Sequence, residues 1–283
     1  LGWYGGMARS RLQALGVAAP PFPYPAATEP LPAGGEERIE RAKVLASAGL
    51  GKEAEAELED ASRAAGKDPA AAERVAATAH ALGLHRAAYA LANARLWSRA
   101  VDQRSPTSLA LLFPRAHAAA LTRAAEAVNL DPYFAWAIMR RESRFDPAAR
   151  SFARAHGLMQ LLVPTAKKIA LLSGEPEPEQ HDLYDPARTL PLATWYLAEL
   201  AGRFNHLALA AAAYNGGPQP VAGWVEARRD VPLDLFVELI PFRETRGYVK
   251  GVLGDYFSYR ALWGEPLRPP SLSLVPARGG ATF

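Results

Sequence analysis

The sequence predicts a mainly α-helical chain in two parts, a partial helical solenoid followed by a second helical lobe. Three observations lead there. Residues 34–104 are rich in alanine with Glu, Arg and Leu, which lose little on entering a helix. A glycine-centred turn recurs at Gly49 and Gly83, 34 residues apart. Asp is followed by Pro at Asp131-Pro132 and Asp185-Pro186, the pairing that caps and opens a helix, and no convincing run of alternating strand residues is present.

The elements follow in order. Residues 1–19 hold a short helical pattern with Met7, Leu12 and Leu15 as its apolar members. Residues 20–32 contain six prolines and read as an extended connector. Ala48-Gly49-Leu50, followed by Ala54 and Ala56, is echoed by Leu82-Gly83-Leu84, followed by Ala88 and Ala90. Gly takes the left-handed conformation that closes a helix at little cost. A helix–Gly–helix unit at this 34-residue spacing marks a tetratricopeptide-like solenoid, although two unrelated hairpins would give the same turns. Ser105-Pro106 and Phe113-Pro114 break the pattern, which divides the chain into a solenoid fragment over 1–105 and a second domain over 106–263. That domain should have helices opening at Pro132, Thr165-Ala166 and Pro186, then helices over about 206–213 and 244–262. Leu190, Ala193, Leu197 and Leu200 share one face of the third, and Val249, Val252, Tyr256 and Tyr259 one side of the last. A short hairpin is compatible with 148–161. Residues 264–283, with four prolines and Gly279-Gly280, read as a flexible tail.

Composition excludes several functions. There are 32 basic and 29 acidic residues, 14 and 12 of them in residues 1–120 and 18 and 17 in the rest. Neither half carries the one-sided field of a nucleic-acid binder. The absence of cysteine removes disulfides and thiolate chemistry. The six histidines form no ligand cluster and no His-Glu-x-x-His pair, so neither a metal nor another cofactor is expected. The longest apolar run, Leu207–Tyr214, is far below the ~20 residues that span a bilayer.

The most informative residue is Glu142. Ala135, Ile138 and Met139 form an apolar stripe, and Glu142 is its next member. A carboxyl there is desolvated, which favours the neutral acid and raises its pKa. Such an acid can protonate a leaving oxygen near neutral pH. The same position would also suit a buried strut paired with Arg or a backbone amide. Arg140, Arg141 and Arg144 would lower the pKa and are expected to point elsewhere.

Downstream stand Glu142-Ser143, Gly157-Leu158-Met159-Gln160, Ala213-Tyr214-Asn215-Gly216-Gly217-Pro218, and Ile240-Pro241-Phe242-Arg243-Glu244-Thr245-Arg246-Gly247-Tyr248-Val249. This order resembles the soluble lytic transglycosylases of bacterial cell walls, which share the lysozyme-like fold with goose-type lysozyme. The likeness covers about residues 115–262, and the helical front half is similar to the α-superhelical domain that precedes the catalytic domain in that family.

The resemblance implies that Glu142 is the single acid/base. The implied substrate is the glycan strand of peptidoglycan and its muropeptides, cut between N-acetylmuramic acid and N-acetylglucosamine with closure of a 1,6-anhydro ring. Ser151, Met159, Gln160, Tyr214, Asn215, Glu244 and Tyr248 are implied at the binding cleft. Asn215 would hold the loop, and core packing is an equally good reading for Met159. Phe145, Tyr214 and Tyr248 are candidate sugar platforms, while Asp146, followed by Pro147, fits a turn better than a second carboxylate. The sequence departs from the family with Arg154 in place of the usual Gly, and with Leu162-Val163 in place of Met-Pro. Arg154 and His156 would then reach an anionic lactyl-peptide or crowd the cleft. The implied location is the periplasm or cell envelope, with cell-envelope protein partners on the solenoid and truncation accounting for the missing signal peptide. Two alternatives stand beside this one: a hydrolytic goose-type muramidase, and a non-catalytic helical-repeat scaffold that binds the cell wall.

Overall fold

The computed structural model describes residues 2–21, 26–28, 37–97, 105–267 and 269–274. After α1 (Trp3–Ala14), the front half is two helical hairpins, α2 (Glu37–Ser47) with α3 (Gly51–Ala64) and α4 (Pro69–Ala81) with α5 (His85–Leu96). They turn identically. Gly49 and Gly83 have φ of 78° and 74°. Leu50 N donates to Leu45 O at 2.9 Å and Leu84 N to Ala79 O at 3.0 Å, closing each helix the same way. The 34-residue repeat is therefore a structural one. Small residues let the helices approach: Ala42, Ala54, Ala76, Ala79, Ala88 and Ala92 are all fully buried. Next, α6 (Pro106–Leu112) packs on α4 and α5. Ser105 caps it by accepting from Ser108 N at 2.9 Å, and its own hydroxyl donates to Glu73 on α4.

The second half is built around α8 (Pro132–Glu142) and α14 (Arg243–Leu262), which pack on each other. α7 (Ala118–Glu126) and α11 (Leu207–Gly216) flank them, and α10 (Pro186–Phe204) lies across α7, α9 (Val163–Ser173) and α11. The expected face of α10 is buried at Leu190, Ala193, Leu197 and Leu200, and that of α14 at Val249, Val252, Tyr256 and Tyr259. A two-stranded antiparallel hairpin, β1 (Ala155–His156) with β2 (Leu161–Leu162), lies in the predicted window. Two short helices, α12 (Pro218–Glu226) and α13 (Leu233–Glu238), complete the lobe. No helix among the described residues is long and apolar enough to cross a membrane.

Aromatic rings join the halves around one buried cation, which an ion pair within the second half holds in place. The Arg140 guanidinium lies 5.2 Å from the Tyr89 ring centre and 4.6 Å from that of Phe113. The same guanidinium donates from Nη1 to Asp255 Oδ2 at 2.8 Å. Arg141 donates to the two carboxylate oxygens of Asp255 at 2.6 and 2.9 Å. Nearby, the His80, His85 and His117 rings stack edge to edge at 5.3 and 5.0 Å, and burial holds the His85 pKa down to about 3.

Three sequence expectations need correction. The buried face of α1 is Trp3, Gly6, Met7 and Ser10, while Leu15 is exposed. The helix docks on α14, where Gly6 meets the Phe257 ring, so the partner and not the local pattern selects the face. Phe145 is fully buried with its ring 5.3 Å from that of Tyr89, so it belongs to the joint between the halves and not to a sugar platform. The start of the expected tail is held: Arg260 Nε donates to Pro266 O at 2.8 Å, Leu233 N donates to Leu272 O at 2.8 Å, and His206 Nε2 bonds Ser271 O at 3.0 Å. Residues 275–283 lie outside the described residues, as does most of the proline-rich connector.

Candidate active site

Asp131 opens α8 by accepting from Tyr133 N at 3.0 Å, and Pro132 presets its first turn. Ala135, Ile138 and Met139 are fully buried, and Glu142 ends their stripe as the last residue of the helix. Arg140 and Arg141 are drawn to Asp255, and Arg144 stands exposed on the loop. Burial therefore dominates at Glu142 and raises its pKa from 4.5 to about 7. The charge of Glu244 adds to the rise, and the Tyr248 hydroxyl, which donates to Glu142 Oε1, opposes it. Near neutral pH the group is divided between acid and base, the poise suited to giving a proton and taking one back.

Two phenols flank this carboxyl. Burial, with the Glu142 charge as second cause, holds the Tyr248 and Tyr214 hydroxyls protonated well above the ordinary tyrosine range. Tyr214 donates to the Met159 carbonyl at 2.7 Å, and its ring lies 5.6 Å from Tyr196. Beyond Tyr214, α11 continues through Asn215 and Gly216 and turns only at Gly217, with φ of 86°. At Gly216 a Cβ would fall 2.9 Å from Thr245 Oγ1, so glycine lets α11 close on the start of α14. There Thr245 donates to Asn215 Oδ1 at 2.7 Å, and Asn215 Nδ2 donates to Glu244 Oε1 at 3.4 Å. Asn215 thus ties the two helix ends and faces Glu244, which is exposed.

The loop after Glu142 is strained. Arg144, Phe145, Arg154 and Gln160 all have left-handed φ, at 52°, 67°, 61° and 47°, a conformation that costs non-glycine residues on the order of 1 kcal/mol each. Their geometry is fixed by short polar contacts. Ser143 Oγ accepts from Phe145 N at 3.1 Å, and Asp146 Oδ1 from Ala148 N at 2.9 Å, so the Asp146 carboxylate serves a turn. Ser151 closes the turn that leads into β1, its hydroxyl accepting from Ala155 N at 3.0 Å. Gln160 braces the turn between β1 and β2 by donating to the Ala149 and Gly157 carbonyls at 3.2 and 2.8 Å. At Gly157, φ is 72° and a Cβ would lie 1.8 Å from Leu183 O, so only glycine fits.

Several side chains are displaced from the expected roles. The Met159 side chain is fully buried, and only its carbonyl reaches Tyr214. His156 is 1% exposed with Nδ1 2.8 Å from the Tyr184 hydroxyl, so it does not reach outward, whereas Arg154 is exposed. Three contributors escaped sequence reading: Asp255, Thr245 and Tyr196. An acid on the apolar side of α14 was the available signal for Asp255. Neither Thr245 nor Tyr196 stands out by residue type or spacing.

Residues 120–236 match the family described as the transglycosylase SLT domain. Over these residues the chain is similar to that family. Over 156 residues the chain is 42% identical to a putative soluble lytic murein transglycosylase of Haemophilus influenzae, an overlap of 54% of this chain and 26% of that protein. It therefore spans about a quarter of the length of that curated relative. The fold matches the 70 kDa soluble lytic transglycosylase of Escherichia coli with a TM-score of 0.76 at 26% identity, over 96% of this chain and 42% of that one. It also matches an inactive Glu-to-Gln mutant of lytic transglycosylase Slt from Pseudomonas aeruginosa with a TM-score of 0.71 at 30% identity, over 95% and 42% of the two chains. These matches extend through the solenoid half, so the chain shares with them both the helical superhelix and the lysozyme-like lobe.

Proposed function

We propose that this chain cleaves the glycan strand of bacterial peptidoglycan as a lytic transglycosylase, with Glu142 as its single acid and base. The observation that carries the reading is the carboxyl that completes the buried stripe of α8, desolvated to a pKa of about 7 and held by the Tyr248 hydroxyl. In the proposed reaction Glu142 protonates the glycosidic oxygen between N-acetylmuramic acid and N-acetylglucosamine. The substrate's own acetamido oxygen then closes on C1, forming an oxazolinium-like species. Glu142, now a base, takes the proton of the C6 hydroxyl, and that oxygen displaces the acetamido oxygen to give the 1,6-anhydro ring. No water is consumed. The substrate-binding roles assigned to Ser151, Gln160, Tyr214, Asn215, Glu244 and Tyr248 belong to this proposal, with Met159 contributing its carbonyl. The inactivity of the Pseudomonas Glu-to-Gln mutant and the names of the relatives support it, and these kinships suggest a place in the cell envelope.

Mass spectrometry of digested sacculi tests the reaction. Anhydro-muropeptides are the expected product, and reducing-end products alone would refute transglycosylation in favour of hydrolysis. The pH profile tests the acid. Because the protonated form of Glu142 starts the reaction, activity should fall as pH rises through about 7. Tyr248→Phe removes a hydrogen bond that favours the ionised form, so its alkaline limb should move to higher pH, and an unmoved limb counts against the assignment.

A further inference from the structure

The cation next to the acid is kept off it by a gap in α14. Along that helix Tyr248, Gly251 and Asp255 follow at spacings of three and four, so they share one face. That face meets the end of α8 at three points. Tyr248 donates to Glu142, Gly251 lies against the Arg141 guanidinium, and Asp255 accepts from Arg140 and Arg141. A Cβ at Gly251 would fall 2.8 Å from Arg141 Cζ, 2.9 Å from Nη1 and 3.0 Å from Nε. No larger residue fits while Arg141 reaches Asp255 by this path. Gly251 lies inside α14 and has no left-handed φ that would call for glycine, so space accounts for it and backbone conformation does not.

The titratable groups that face Glu142 among the described residues are Tyr248 and Glu244 of α14 and Tyr214 of α11. No cation is among them, which leaves burial to govern the carboxyl. Arg141 is nevertheless close enough for its charge to act on the Tyr248 hydroxyl. Two hydrogen bonds to Asp255, at 2.6 and 2.9 Å, hold it in place. A side chain at position 251 would drive the guanidinium out of that seat. The next carboxyls along the same face of α14 are Glu142, held at Tyr248, and Glu244, one turn before it. A cation within ~4–6 Å of a carboxyl favours its ionised form.

We propose that Gly251 is a positioning residue for Glu142: it leaves the notch that seats Arg141 on Asp255 and so keeps that cation from the carboxyl. The consequence for rate rests on the acid/base reading of Glu142, whereas the carboxyl itself can be followed without turnover. Gly251→Ala should fold, because alanine is the better helix former and the tip of a long side chain can move aside. In protein labelled at the glutamate carboxyls, NMR follows the titration of Glu142, with Glu142→Gln identifying its resonance. The Gly251→Ala midpoint should fall by about one pH unit. Adding Arg141→Gln removes the displaced cation and should return the midpoint to the parent's value or above. The alkaline limb of cell-wall cleavage should move in the same way. A Gly251→Ala midpoint equal to the parent's overturns the proposal. So does a lowered midpoint that Arg141→Gln fails to restore, since a purely structural effect would persist without the cation. Failure of the transglycosylase reading would show separately, as missing anhydro product from the parent protein while the NMR midpoints still move as expected.

Discussion

Glu142→Gln should reduce glycan cleavage by ~10²–10⁴-fold, the range supplied by a positioned acid/base, and should raise stability at alkaline pH. Both effects come from one cause. The amide keeps the shape of the carboxyl and its contact with Tyr248 but can neither give nor take the proton. Stability follows from the sign of the pKa shift. The folded pKa, about 7, lies above the ordinary value of 4.5. Between these values the folded chain holds a proton that the unfolded chain has released, so stability falls as pH rises from about 4.5 to 7 and stays low above. With a discount for the partial exposure of the group, this amounts to about 2 kcal/mol at pH 8. The variant should therefore melt higher than the parent at pH 8 and close to it at pH 4.5. Calorimetric scans at both values check this, and equal melting at pH 8 would mean that Glu142 is not desolvated. Turbidity loss of purified cell walls checks the activity.

Asp255→Ala should be the most destabilising of the substitutions considered, by about 3–5 kcal/mol. Asp255 is 4% exposed and accepts three hydrogen bonds from two guanidinium groups, one of which, on Arg140, is itself only 6% exposed. Removing the acid strands the Arg140 charge among the rings of Tyr89, Trp97 and Phe113. It also frees Arg141, one residue from Glu142, to approach that carboxyl and lower its pKa. The expected signatures are a loss of roughly 10 °C or more in melting temperature and an alkaline limb of activity shifted to lower pH. Breaking the more exposed Arg11–Asp234 pair, at 2.8 Å, should cost far less, since water screens it. Urea unfolding of the two variants side by side makes the comparison.

The sequence showed Glu142 clearly because one helix carried the whole signal: three apolar residues and an acid at helical spacing, each visible without knowing what lay opposite. The solenoid turns were legible for the same reason, since glycine at a helix end acts locally. Asp255 was not legible as a partner of Arg140, 115 positions away, because no local rule joins two helices. Phe145 is misplaced, and Met159 stays between cleft and core, for a related reason. Residue type says what a side chain can do, but the left-handed backbone at Phe145 sends the loop after Glu142 on a course that spacing does not predict. Short helices such as α7, α12 and α13 offer too few turns for a periodic signal, and their placement depends on the neighbours that bury them.

The docking of α1 onto α14 has a consequence for the order in which the molecule assembles. Tyr4 and Lys250 touch across 246 positions, and Trp3 lies against Gly254. During synthesis the face of α1 that docks on α14 waits until nearly all of the described chain has emerged. Such distant contacts cost the most loop-closure entropy and form late. α1 is then expected to be among the last of the described helices to settle and among the first to detach. Hydrogen exchange should find the amides of Trp3–Ala14 less protected than those of α8.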